Sequence, residues 1–283
     1  MTHLNYTLEE RIKAETMSFS GKMSVYANDF HGNIVAVNAD EPFEAASCIK
    51  SFILTNLFQQ VNEGKKSLME KLIFTQENFV DGSGVLQSLD LGTELSVKNL
   101  ATLMIIVSDN IATNILIDYL GLDQINSTVR NLGLKDTELY NKLNFEKYSK
   151  LGTTTPREYG VLFEKLCNRE LVSPEASDAM LAIYRQQHYS SMIVREFPQY
   201  YLDSEISGNE GLLFTASKSG SMNACRNDGG IVSTPYGSYV CAFFTKEFCD
   251  PLYYADHESS KFSAKVSRML LDQYLALEGR FYL

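Results

Sequence analysis

Ser47 and Lys50 stand three residues apart, and Ser108-Asp109-Asn110 and Lys218-Ser219-Gly220 follow in order along the chain. A serine hydroxyl becomes a nucleophile when a nearby base takes its proton. If Ser47 opens a helix, Lys50 lies one turn on along the same face, where its amine reaches the hydroxyl. The helix start also aims free backbone N–H groups and a positive dipole end at the same spot. A lysine serves as base only when its pKa falls, through burial beside other cations, and Lys218 is the candidate neighbour. Singly, each motif is weak. An isolated Ser-x-x-Lys reads as a helix cap followed by a surface charge, and three polar residues between apolar helices read as a turn. The ordered set supplies the parts of a serine acyl-transfer site.

The third motif lies in Leu212–Ser221, which reads as a strand ending near Gly220. A glycine there lets a substrate lie against the strand edge. Lys218 and the Ser219 hydroxyl would hold a substrate carboxylate by charge and hydrogen bond. The Ser47 and Ser221 N–H groups would form an oxyanion hole. Arg226, in Cys225-Arg226-Asn227-Asp228-Gly229-Gly230, is either a second carboxylate ligand or a solvated loop charge, and both readings stay open.

With these three motifs, and with Gly82-Ser83-Gly84-Val85-Leu86 and Ile111-Ala112-Thr113-Asn114 around the second, the chain resembles the serine β-lactamase and penicillin-binding protein superfamily, in its class A-like branch. The resemblance implies that Ser108 passes a proton to the leaving nitrogen, that Asn110 binds an acylamino side chain, and that Asp109 is structural. It also implies a Glu-Pro-x-Leu-Asn loop, preceded by an arginine, whose glutamate activates the deacylating water. Here Leu143-Asn144 looks like the end of that motif, and Thr153-Thr154-Thr155-Pro156 like the segment after it. Tyr140-Asn141 then stands where Glu-Pro belongs, and the loop from Leu134 to Gly152 is short and lacks the arginine. Glu146 is the nearest substitute base and Glu138 the second; each reads equally as a solvated surface glutamate. Without such a base the protein would acylate and stall, as a penicillin-binding protein does. The implied activity is β-lactam hydrolysis through an acyl-enzyme. The alternatives are an esterase or D,D-peptidase-type acyl hydrolase, and a sensor that acylates with little turnover.

Other chemistries fit less well. His3, His31, His188 and His257 are isolated, lack metal-ligand spacing, and are each expected at the surface. There is no Gly-x-Ser-x-Gly elbow, Walker loop or Gly-x-Gly-x-x-Gly, so no nucleotide or other cofactor is expected. Cys48, Cys167, Cys225, Cys241 and Cys249 form no Cys-x-x-Cys and are odd in number, as free thiols in a reducing compartment would be. Cys48 reads as a packing residue. A net charge of −10 disfavours nucleic acid and anionic membranes as partners, which leaves a small-molecule substrate and an expected monomer. No segment reaches membrane-spanning length, and Met1–Ser20 has no apolar core of a signal peptide. A cytoplasmic location is expected, or a periplasmic or secreted one if a leader was removed.

The elements that must position these groups follow from periodicity. Residues 5–16 read as a helix, and 22–29 with 34–39 as a hairpin around His31-Gly32-Asn33, whose Gly and Asn permit positive φ. Residues 44–200 are mostly helical, with an apolar helix over Val97–Val107, a helix from Thr155-Pro156 through Leu166, and polar loops near 80–95 and 134–155. Residues 211–219, 229–235 and 238–246 read as antiparallel strands, and about Glu258–Leu277 as a closing helix. The expected fold class is α/β (α+β): a five-stranded antiparallel sheet with flanking N- and C-terminal helices and an inserted all-helical domain. That places a discontinuous sheet domain at 1–43 and 205–283, a helical domain at 44–204, and the active site between them.

Overall fold

Both ends of the chain build one sheet. The computed structural model describes residues 6–202, 212–250 and 254–275. Helix α1 (Leu8–Glu15) is opened by Thr7, which accepts from the Glu10 N–H at 3.2 Å while the Glu10 carboxylate accepts from Thr7, a reciprocal cap. Strands β1 (Lys22–Asn28) and β2 (Ile34–Val37) follow, then the short β3 (Phe43–Glu44). In the β1–β2 turn the left-handed residues are Phe30 and Gly32, rather than Gly32 with Asn33. Asp29 is the reason: its carboxylate accepts from the His31 and Asn33 N–H groups and from the Asn33 side chain, and so sets the turn.

The middle of the chain carries α2 (Lys50–Asn62), β4 (Lys71–Ile73), β5 (Glu94–Ser96), α3 (Val97–Ile106), α4 (Asn110–Leu120), α5 (Leu122–Asn131), β6 (Glu138–Leu139), β7 (Gly152–Thr154), α6 (Pro156–Cys167), α7 (Pro174–Tyr184) and α8 (Gln199–Leu202). Pro156 occupies the first turn of α6 and Thr155 caps it. Strands β8 (Phe214–Ser217), β9 (Gly220–Met222), β10 (Cys225–Thr234) and β11 (Gly237–Lys246) then return to the sheet, and α9 (Glu258–Leu275) ends the described chain. The expected boundary at 204/205, the strand start at 211, the helix end at Leu277 and His3 lie outside the described residues.

The sheet runs β2-β1-β11-β10-β8, antiparallel at each step, with β9 also on β10. Ser217 lies opposite Gly230 and Gly220 opposite Asn227, so β9 continues β8 in the same register past a break at Lys218-Ser219. The expected single strand is therefore interrupted at the motif, and the sheet keeps five positions across. Strand β10 starts at Cys225, earlier than expected, which turns the supposed loop around Arg226 into sheet.

Side chains alternate across β11 as the pleat requires. Tyr239, Cys241 and Phe243 pack with Ile12 of α1 and Val266, Leu270 and Leu271 of α9, while Val240, Ala242 and Phe244 join the core formed with α2 and α6. Both faces are covered, so β11 is buried almost throughout. His257, expected at the surface, is fully buried: its ring stacks edge-on against Phe248 at 4.5 Å, and Nδ1 accepts from the Ser259 N–H at 3.1 Å. His31 and His188 are exposed. Among the described residues no helix is long and apolar enough to cross a membrane.

Candidate active site

The neighbourhood of Ser47 begins with a strained backbone. Ala46 has φ 46°, unusual for a residue with a side chain, and it opens a 3₁₀ turn, Ala46–Ile49, that runs into α2. Sequence periodicity suggested an α-helix from Ser47. The tighter turn instead eclipses residues three apart, which places Ser47 and Lys50 on one line. Ser47 is the one residue between Ala45 and Lys50 that is not buried.

Lys50 is fully buried, and its Nζ reaches three oxygens: the Ser108 carbonyl at 2.7 Å, the Ser108 hydroxyl at 3.1 Å and Asn110 Oδ1 at 2.8 Å. Burial, and then the charge of Lys218, push its pKa well below the ordinary lysine value, against a weaker upward pull from Asp109. A neutral amine keeps two donors and frees a lone pair, which can take a hydroxyl proton.

Ser108 lies in the left-handed region, φ 55°, between α3 and α4. Asp109 caps α4 by accepting from the Ala112 N–H at 2.9 Å, and its second oxygen accepts from the Val85 and Leu86 N–H groups at 2.7 and 2.9 Å. The Gly82–Leu86 segment is thereby pinned beside Asn110. Gly84, φ +111°, has no room for a side chain: a Cβ there would lie 2.3 Å from the Asp109 carboxylate. Asn110 donates through Nδ2 to the Asp81 carbonyl at 3.2 Å and receives Lys50 on Oδ1.

On the sheet side, Lys218 is fully buried and donates to the Ser219 carbonyl at 2.6 Å. Burial lowers its pKa to about 8, against upward pulls from Cys48 and Asp228. Asp228 is itself pushed up to about 7 by burial. The Lys218 carbonyl receives the Tyr159 hydroxyl at 2.7 Å and the Cys48 thiol at 3.4 Å. The Ser219 hydroxyl accepts from the Gln187 side chain at 3.3 Å. Gly220 packs against the turn that carries Ser47, where a Cβ would sit 2.7 Å from the Ser47 and Cys48 nitrogens. The close backbone approach expected of a substrate is thus made by the turn that carries Ser47. Arg226 is 4% exposed and donates to the Met222 and Cys225 carbonyls, with its guanidinium over the Phe248 ring. It is not a solvated loop charge.

Two cavities meet at Ser47, Ser83 and Ser221. One, of about 340 Å³, is lined by Ser108, Ser191, Ser219, Gly220 and Arg226 among others. The larger, of about 660 Å³, is lined by Asn110, Glu44, Phe145, Tyr148, Lys150 and Met222 among others. Fully buried Lys50 and Lys218 lie behind these walls. The structure thus brings together Ser47, Lys50, Ser108, Asn110, Lys218, Ser219, Gly220, Ser221 and Arg226. Glu146 is exposed, lines neither cavity, and has its backbone N–H on Asn144 Oδ1 at 3.2 Å. Glu138 is exposed in β6, opposite Thr153. Tyr140, at the position aligned with the absent glutamate, is 44% exposed. Leu143 is held instead, its backbone clamped on both sides by the Asn114 amide at 2.8 and 2.9 Å.

Sequence reasoning passed over Tyr159 and Gln187, which steady the third motif from α6 and from the segment after α7. Neither belongs to a motif. A buried tyrosine on a helix and a polar residue past a helix end carry no signal of their own.

A model described as the beta-lactamase enzyme family matches residues 7–274. A beta-lactamase from Sphaerobacter thermophilus DSM 20745 is similar at 28% identity, covering 94% of this chain and 96% of its own, with a TM-score of 0.83. PBP-A, solved as an L158E mutant in an acyl-enzyme complex with penicillin G, is similar at 29% identity over 96% of each chain, with a TM-score of 0.81. A class A beta-lactamase from Mycobacterium abscessus shares the fold at 22% identity, over 95% of this chain and 99% of its own, with a TM-score of 0.81.

Proposed function

The chain belongs to the beta-lactamase enzyme family, and on that premise we propose that it is a serine hydrolase that opens β-lactam rings through an acyl-enzyme on Ser47. The observation that carries this reading is the buried, pKa-depressed Lys50 amine, one turn from Ser47 and hydrogen-bonded to Ser108 and Asn110. Lys50 takes the Ser47 proton as Oγ bonds to the lactam carbonyl carbon. The Ser47 and Ser221 N–H groups hold the oxyanion. As the C–N bond breaks, the ring nitrogen takes the Ser108 hydroxyl proton, which Lys50 replaces. Lys218, Ser219 and Arg226 anchor the substrate's carboxylate, and Asn110 its acylamino group. Water then adds to the ester carbon, the C–Oγ bond breaks, and the proton returns to Ser47. Glu146 is the proposed base for that last stage.

A second reading, acylation with little turnover, is favoured by one observation: Glu146 is exposed and lines neither cavity. A base must come within about 3 Å of the water it activates. PBP-A, solved with penicillin G as an acyl-enzyme, is among the similar structures.

Intact-protein mass spectrometry over time with a penicillin tests both. The parent protein should gain one covalent adduct, and Ser47→Ala none; an adduct on Ser47→Ala removes the assignment of the nucleophile. A transient adduct marks the hydrolase, and its accumulation in Glu146→Gln marks Glu146 as the base. A lasting adduct in the parent, unchanged by Glu146→Gln, marks the second reading.

A further inference from the structure

The larger cavity at Ser47 has one carboxylate in its lining, Glu44, three residues before the nucleophile. Its Oε1 is committed, accepting from the Ala46 and Leu151 N–H groups at 3.1 Å each. Its backbone is fixed as well, with the Glu44 carbonyl receiving the Asn227 amide at 2.8 Å. Oε2 is buried and has no hydrogen-bond partner. A buried carboxylate oxygen left unmatched costs stability, and its charge is poorly screened from whatever enters the cavity that Glu44 lines. Burial pushes this carboxyl above its usual range, against downward pulls from the Leu151, Ala46 and Gly152 N–H groups and then from the charge of Lys150. The other charged residue of the lining, Lys150, is exposed. The aromatic rings of Phe145 and Tyr148 share the wall, and such faces attract cations.

We propose that Glu44 recognises an ammonium group on the acyl portion of the substrate. This rests on the acyl-enzyme reading, in which the acyl substituent lies on the Asn110 side and the leaving portion on the Lys218 side. The substrate class is then a zwitterion. Its carboxylate faces Lys218, Ser219 and Arg226, and its primary amine, a few bonds from the reacting carbonyl, faces Glu44. Amino-substituted β-lactams have that layout. The attraction is that of a charge in the cavity wall, so it does not require direct contact with Oε2.

Ampicillin and penicillin G provide a matched pair, since they differ only in an α-ammonium on the acyl side. The experiment measures second-order acylation rates for both compounds and takes their ratio, in which effects of folding or general activity cancel. In the parent the ratio should favour ampicillin. In Glu44→Gln, which keeps an oxygen for the two N–H groups, the ratio should fall about tenfold, the scale of removing one opposite charge a few ångströms away. Glu44→Asp should recover part of it. If the Gln variant does not fold, Lys150→Glu adds a second carboxylate at an exposed position of the same cavity and should raise the ratio. A ratio unmoved in a folded Glu44→Gln, or unmoved in Lys150→Glu, overturns the inference while acylation itself proceeds. Absence of acylation by either compound in the parent overturns the acyl-enzyme reading and this inference with it.

Discussion

Lys50 and Lys218 are both lysines without a water shell, but their partners divide them. Lys50 faces neutral oxygens and the charge of Lys218, so it is driven toward the amine a base needs. Lys218 has Asp228 and Cys48 to offset part of its burial, and its pKa settles at about 8. Lys50→Ala should slow acylation at least roughly a hundredfold, the usual scale for losing a positioned proton acceptor, as stopped-flow acylation rates would record. For Lys218 the sign follows from the charged form: below about pH 8 it is an ammonium that holds an anion, and above that it is neutral. The kcat/KM for a carboxylate-bearing β-lactam should therefore fall as pH rises through 8, mainly through KM, while a neutral ester keeps its rate. Equal losses for both substrates would remove the carboxylate role. At this scale the residues that the structure gathers around Ser47 were legible, because a serine, a lysine and a second lysine in fixed order leave few other uses. Glu44 was not legible, since an acid next to a motif looks like a loop charge until its unmatched oxygen is seen. Arg226 was half legible: its charge was noted, but its place in β10 depends on pairing with β11.

The break between β8 and β9 is the element-scale counterpart of the site. Lys218 and Ser219 fall in that gap, and Gly220 beyond it touches the 3₁₀ turn of Ser47. The two segments are thus registered against each other by a contact with no space for a methyl group, beside the hydrogen bonds of Cys48 to the Lys218 carbonyl and of Asn227 to the Glu44 carbonyl. Gly220→Ala puts a Cβ 2.7 Å from the Ser47 and Cys48 nitrogens, both of them backbone. The turn must move, and a displacement of the order of 1 Å at a reacting group costs about a hundredfold. Acylation by a penicillin should drop by that amount in a variant that still melts cooperatively; an unchanged rate would mean that the turn is free to shift. The strand break could not be read from the sequence, because Leu212–Ser221 has ordinary strand character and only cross-strand pairing shows the gap. One helix start was easier, since Thr155-Pro156 announces it by capping and fixed φ.

Across the whole molecule, the sheet pairs β1 with β11, so residues 22–28 lie against 240–246. The central hydrogen bonds of the fold wait for the last part of the chain, and such non-local pairing is slow to form. Ser47 and Lys50 come from the segment between these strands, while Lys218 and Gly220 come from the return. A fragment comprising residues 44–204, expressed alone, should therefore take up no penicillin adduct by mass spectrometry, and an adduct would show that the helical block carries the chemistry unaided. The sequence order of helix, hairpin, helical block, strands and helix was enough to anticipate one sheet closed from both ends. The burial of His257 was not anticipated, because a lone histidine near a helix start gives no sign of the Phe248 ring that covers it.

The cysteines offer a consequence for watching this fold open. Cys249 is exposed, whereas Cys48, Cys225 and Cys241 are buried, one in the 3₁₀ turn of Ser47 and two in adjacent central strands. An alkylating reagent added to the folded protein therefore tags Cys249 at once. Cys167, half-buried, is partly open to it as well, and the three buried thiols are reached only through excursions that part the turn or the strands. The lag between the first tag and the later ones is a stopwatch for those excursions, read without a dye, a mutation or a substrate.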